Sequence, residues 1–308
     1  MKKENTTSAT EFVIVGFSEL PQLKVPVFWG FLFIYLIILS GNVLIMVIVY
    51  FDSHLHTPMY FFLVNLSLVD IIYTSTIFPK MLATFFVEVP RVSFDACLMQ
   101  LYIFIAMVCT ETILLTAMAY DHYVAICNPL RYRSTINRTL CLQLAAGSWM
   151  FSLVEPIPHT VLTSALSFCA SRQVNHIFCD ITALIKLSCS STHAIEMLTF
   201  ICGAVVGLSS FALILTSYFN IISSILKINS GRDKAFSTCG SHLTAVMLFY
   251  GSLMVMYLRP PSTYSMTQNK MLSLLYIGVV PLCNPIVYSL KNQELKNALR
   301  KVKRMKRK

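Results

Sequence analysis

Apolar residues in this chain are gathered into seven long blocks, at about 26–50, 58–81, 97–121, 140–161, 194–226, 236–258 and 271–290. A helix that crosses a bilayer needs about 20 mostly apolar residues, and every block supplies that length. Only 12% of the 308 residues are charged, while 56% are hydrophobic. A single soluble core built from this composition would leave wide apolar patches in water. In lipid the backbone must satisfy its own hydrogen bonds, so the rival to helices is a closed barrel. Barrel strands alternate apolar and polar with period two, and FLFIYLIILSGNVLIMVIVY (31–50) does not. The expected fold class is an all-α membrane protein, a seven-transmembrane-helix bundle.

Seven spans place the two termini on opposite sides. With the N-terminus outside, the inner segments 51–57, 122–139, 227–235 and 291–308 carry 15 Lys and Arg. The outer segments 1–25, 82–96, 162–193 and 259–270 carry 8. The excess of positive charge over less chain orients the bundle N-out and C-in. The leading residues lack a basic stretch running straight into a short apolar one, so no cleaved signal peptide is expected. The expected organisation is an extracellular tail (1–25), a membrane domain (26–290) and a basic cytoplasmic tail (291–308). The net charge of +10 sits mainly on the inner face against the membrane, so lipids are the expected partner there and nucleic acid is not. In the tail, Leu295, Ala298, Leu299 and Val302 recur at helical spacing. They suit a short amphipathic C-terminal helix on the anionic leaflet.

Of ten cysteines, Cys97, Cys169, Cys179 and Cys189 fall outside. That side is oxidising and the count is even, which implies two disulfides with three pairings open. These cysteines lack the close spacing of a zinc motif. Asn5-Thr6-Thr7 is a glycosylation sequon on the outer tail. Asn65-Leu66-Ser67 lies in a span and Asn137-Arg138-Thr139 is cytoplasmic, so topology excludes both.

Asp70 and Glu111 are acids inside spans. Burying a charged carboxylate in hydrocarbon is costly, so such groups face inward and pair, titrate or bind a cation. Two acids close together force one to protonate unless a cation joins them; Asn42 and Asn284 can supply further oxygens. Pro285 follows Asn284 and removes a backbone bond, allowing a bend with Tyr288 one turn on. In the third span Phe104, Ile105, Val108, Cys109 and Thr112 share a helical face. Val205 and Val206, Met254 and Tyr257, and Tyr276 are candidates to face them from spans five, six and seven. The cavity so formed is apolar with a few hydroxyls. It holds no acid to anchor an amine, so a small, neutral, volatile molecule fits. No internal repeats or paired half-helices suggest a transporter. His159 lies near Glu155, but no nucleophile is paired with them for hydrolysis.

Several short stretches decide among seven-span classes: GN (41–42), LHTPMYFFLVNLSLVD (55–70), MAYDHYVAIC (118–127), SY (217–218), KAFSTCGSHL (234–243) and PLCNPIVYSL (281–290). Together, in this order and at these depths, they resemble the vertebrate odorant receptors, a branch of the rhodopsin-like G-protein-coupled receptors. The resemblance covers essentially the whole chain. It implies a receptor and no enzyme, with an odorant bound in the bundle and a heterotrimeric stimulatory olfactory-type G protein as partner. A related receptor for a non-odorant metabolite is the neighbouring reading. The resemblance pairs Cys97 with Cys179 and Cys169 with Cys189, and makes Asn42, Asp70, Glu111 and Asn284 a sodium site or polar hub. It assigns Asp121, His122, Tyr123, Tyr218, Lys234, His242, Pro285 and Tyr288 to activation and G-protein coupling. The family usually has Asp-Arg-Tyr where this chain has Asp121-His122-Tyr123. Arginine is permanently charged and forked, whereas histidine is half charged near pH 6.5, so the departure bears on coupling.

Overall fold

The computed structural model describes residues 11–16, 23–169, 172–227, 232–257, 266–291 and 295–298. Three uninterrupted rods come first: α1 (Lys24–Phe51), α2 (Pro58–Ala83) and α3 (Phe94–Cys127). The fourth, α4 (Arg138–Ser164), consists of Arg138–Val154 and Pro156–Ser164. Pro156 has no N–H to donate, so the helix breaks at Glu155. The fifth, α5 (His193–Leu226), contains a π segment at Gly203–Leu208. The sixth, α6, spans Arg232–Tyr257. The last, α7, joins Met266–Leu274, a π segment Leu275–Val279 and Val280–Lys291. Among the described residues six helices are long and apolar enough to cross a membrane, and α6 adds a shorter apolar stretch, Cys239–Val255.

Local chemistry sets the helix starts. Pro58 opens α2 where its missing N–H is no loss. Ser93 Oγ accepts from the Ala96 N–H at the start of α3. Asn137 Oδ1 accepts from the Leu140 N–H at 2.8 Å, so the cytoplasmic sequon asparagine works as the cap of α4.

The bundle is built around α3, which packs against α2, α4 and α5. On α5 the residues Ile201, Val205, Leu208, Leu215, Phe219, Ile222 and Leu226 are exposed, while Ser210, Ile214, Tyr218, Ile221 and Ile225 are buried. Both stripes recur at three and four residues, so one face meets lipid and the other the bundle. At Gly41 α1 and α7 come so close that an added Cβ would stand 3.0 Å from Pro285 Cγ. That contact joins the first and last spans.

The end of the bundle near the start of α3 carries a small sheet that the sequence reading did not anticipate. Three strands, β1 (Glu11–Ile14), β2 (Arg91–Ser93) and β3 (Gln173–Val174), pair in the order β2-β1-β3. β1 is antiparallel to β2, with Phe12 opposite Val92, and parallel to β3, with Val13 opposite Gln173. Part of the expected N-terminal tail is therefore structural. Its EFVI alternation turns Phe12 and Ile14 into a buried cluster with Cys97, Leu101, Val174, Cys179, Ile181 and Leu184. Beyond α7, Leu295 and Ala298 are buried against the bundle. Leu299 and Val302 lie outside the described residues.

Candidate functional site

The functional candidates form layers down the bundle axis. The outermost is a lid. Two disulfides hold it, Cys97–Cys179 and Cys169–Cys189. The first ties the start of α3 to the loop between α4 and α5. Gln100, one turn further along α3, donates to the Thr76 carbonyl and accepts from the Cys179 N–H, both at 3.0 Å. Asp180 accepts from the Thr182 N–H and starts a short helix, Ile181–Leu187. His176 of the same loop reaches Ser273 Oγ of α7 at 3.0 Å through Nε2, with Nδ1 3.2 Å from the Phe178 carbonyl. Burial keeps the His176 imidazole below its usual titration range; Asp180 opposes this and Lys270 reinforces it.

Below the lid lies an aromatic chamber. Phe104 of α3 contacts Phe178 of the loop at a centroid distance of 4.9 Å and Tyr276 of α7 at 5.6 Å. Tyr276 also meets Phe249 of α6 and stacks near Tyr73 of α2. Among the sequence candidates, Phe104, Cys109, Thr112 and Tyr276 are buried, and Ile105, Val108, Val206 and Met254 are half-buried. Val205 requires correction: it is 63% exposed and belongs to the lipid-facing stripe of α5. Val206, four residues before the buried Ser210, is on the inner stripe. The Tyr257 side chain lies outside the described residues. The wall also contains Phe178, Phe249 and Tyr73, which the spacing argument missed. Phe178 comes from a loop with no helical period, and the other two sit on helices apolar all round.

Two cavities, of about 130 and about 950 Å³, open elsewhere. The smaller lies between α1 and α7 beside Gly41, Pro285 and Leu295. The larger lies between α1, α2 and the start of α4, near His56 and Arg138.

The next layer is polar. Asn284 of α7 donates to both Asp70 carboxylate oxygens, at 3.1 and 3.4 Å. Glu111 of α3 lies beside Asp70, yet neither of its buried oxygens makes a hydrogen bond. Asn42 of α1 donates to the Ile38 and Pro281 carbonyls, and its Oδ1 is buried without a partner, as is Ser67 Oγ. Four helices thus present buried oxygen acceptors, the donor set that a hard cation such as sodium takes. Tyr288 is buried nearby on α7, and its hydroxyl also has no hydrogen-bond partner.

The innermost layer contains the departure at residue 122. Asp121 accepts from the Tyr132 hydroxyl at 2.8 Å. His122 Nδ1 stands 2.6 Å from the Met118 carbonyl, which requires a proton on Nδ1, while Nε2 is buried without a hydrogen-bond partner. Its ring stacks on His242 of α6, with centroids 5.2 Å apart. His242 Nε2 donates to the Leu115 carbonyl at 3.1 Å, so its Nδ1 accepts from the Tyr218 hydroxyl at 2.6 Å. Residues 122, 218 and 242 therefore link α3, α5 and α6 through two imidazoles and a phenol. Tyr123 is half-buried beside Tyr120. The Lys234 side chain and Asn5 lie outside the described residues.

Comparison with known proteins agrees over nearly the full length. The olfactory receptor family model matches residues 31–306. Olfactory receptor 5AR1 of Mus musculus is 47% identical over 304 residues, covering 98% of this chain and 98% of the relative. Olfactory receptor 1G1 of Gorilla gorilla gorilla is 46% identical over 304 residues, at 98% and 97% coverage. Olfactory receptor 8U9 of Mus musculus is 45% identical over the same length, at 98% and 97%.

Proposed function

The chain belongs to the olfactory receptor family of G-protein-coupled, multi-pass plasma-membrane proteins, which are not enzymes, and on that premise we propose that it binds a small, mostly apolar odorant in the chamber under the lid and activates a stimulatory olfactory-type G protein to raise cyclic AMP. The observation that carries this reading is the ring of Tyr73, Phe104, Phe178, Phe249 and Tyr276. Aromatic and aliphatic walls with isolated hydroxyls bind by dispersion and shape, and the carboxylates near Tyr73, Asp70 and Glu111, belong to the polar layer beneath. Phe104, Ile105, Val108, Cys109, Thr112, Val206, Met254 and Tyr276 are the proposed contacts.

A ligand of about 12 heavy atoms at roughly 0.5 kcal/mol each gains about 6 kcal/mol, a Kd of tens of micromolar. It activates only by preferring one conformation, because equal affinity for both shifts nothing. A ligand in the chamber would meet rings from four helices and the loop, and a rearrangement of those rings would be the differential contact. Beneath them, Asp70, Glu111, Asn42 and Asn284 would hold a sodium ion, whose charge stabilises the two carboxylates together. Release of α7 at Asn284-Pro285 would then pass the change to Tyr288 and to the His122–His242–Tyr218 link.

A cyclic-AMP assay in cells against an odorant panel, run beside His122→Arg, tests the reading. A dose-dependent response at tens of micromolar supports it. Absence of any ligand-dependent signal from both versions, with the receptor at the cell surface, overturns it. Signal only from the Arg version assigns the missing step to His122.

A further inference from the structure

We propose that Glu155, His159 and Cys202 form a binding site for a transition-metal dication of the zinc class in the wall between α4 and α5. The carboxylate, imidazole and thiol atoms all lie within 4.8 Å of one another. Glu155 and His159 are one helical turn apart on α4, at its proline break, and Cys202 immediately precedes the π segment of α5. Ligands around tetrahedral zinc sit about 3.5 Å from one another, given metal–ligand bonds of about 2.0–2.3 Å. Closing the cluster onto an ion therefore needs only small side-chain movements.

A second observation points to a ligand. Glu155 Oε2 is buried with no hydrogen-bond partner, and Oε1 stands 3.7 Å from His159 Nδ1, longer than a hydrogen bond. The carboxylate thus faces the cluster with Oε2 left unsatisfied. Chemistry selects the ion. A sulfur, nitrogen and oxygen set does not suit sodium, magnesium or calcium, which take oxygens, but it suits zinc. Charge selects it too. A dication with one thiolate and one carboxylate is neutral overall, which a site in a spanning segment requires. Three protein ligands leave a fourth position for water or a bound molecule. Cys109 of α3 lies beside Glu155 and Cys202, next to that position.

Binding converts the Cys202 thiol to a thiolate bonded to the metal, and the proton passes to water, so affinity rises with pH. The bond would fasten α5 to α4. Because only 11% of the apolar window of α5 is buried, the metal would add a restraint to a rod that turns a broad stripe to lipid.

The test uses the whole receptor in lipid nanodiscs, titrated with cobalt(II) as a spectroscopic substitute and then with zinc. The expected result is a thiolate-to-metal absorption band that zinc abolishes. Cys202→Ser should remove the band, and Cys127→Ser should leave it unchanged. His159→Gln should weaken binding by about a hundredfold, since loss of outer-shell partners alone costs 10–100-fold. A band that survives Cys202→Ser, or no band in the unaltered receptor, overturns the proposal. Maleimide labelling of unaltered protein needs no variant: zinc should slow modification of Cys202 relative to Cys127, and equal rates with and without zinc overturn it.

Discussion

The two ends of the bundle are held together in opposite ways. The outer end has two covalent bonds, a three-stranded sheet and a buried apolar cluster. The inner end links α3, α5 and α6 through a ring stack and single hydrogen bonds at His122, His242 and Tyr218. On the proposed reading, the difference suits what a ligand can supply. An odorant that gains about 6 kcal/mol in all can spend only part of it on discriminating two states. A latch worth more would never open, whereas a roof that yielded as easily would give the chamber no fixed shape.

Breaking the outer end should have the largest effect. The Cys97–Cys179 bond closes 82 residues of chain, and Cys97→Ser should cost about 4 kcal/mol. Thermal unfolding of detergent-purified receptor should show this as loss of a cooperative transition at the usual temperature. An unchanged transition would mean that Gln100 and the sheet hold the roof unaided.

At the inner end, His242→Ala removes the stack and leaves the Tyr218 hydroxyl and Leu115 carbonyl without their imidazole. The expected loss is about 2–3 kcal/mol from the latched state, seen as raised basal cyclic AMP at matched surface expression. Tyr218→Phe removes one hydroxyl and should raise basal activity by about fivefold, near 1 kcal/mol. Basal activity that falls in both variants would show that these residues serve coupling instead of restraint.

The smallest effect concerns pH at the lid. Burial depresses the folded-state titration of His176, so the folded receptor keeps it neutral while the unfolded chain takes up a proton near pH 6.5. The unfolded state then binds more protons, and stability falls as pH drops below about 6.5 toward the folded value. His176→Gln should flatten that slope below about pH 6.5, measured by melting temperature as the pH is lowered. An equal slope in both proteins would remove His176 from the account and blur the contrast between the ends.

The spans were legible because each is long and lipid tolerates little else. The facing of α5 was harder to read. Val205 and Val206 are equally apolar, and only packing showed that the first meets lipid. The strand at Glu11–Ile14 is four residues long and pairs with partners about 80 and 160 positions away, a distance over which no local pattern carries. Its alternation of Phe12 and Ile14 was nevertheless in plain view. The polar layer followed from the rarity of acids in spans, since Asp70 and Glu111 had few places to go. The metal cluster was half visible as Glu155 and His159; its sulfur comes from the next helix, which spacing does not reveal.

The wide turn at Gly203–Leu208 has a consequence for tolerance to length change. A π segment accommodates one residue more than an α-helix would over the same rise. Deleting one of those six would let the segment rewind to regular α-helix with its two halves still in register. Ser210, Ile214 and Tyr218 would keep their neighbours, whereas the same loss from a regular stretch would turn one half against the other by roughly 100°. At this point of the chain a lost codon is better borne than elsewhere in the rod.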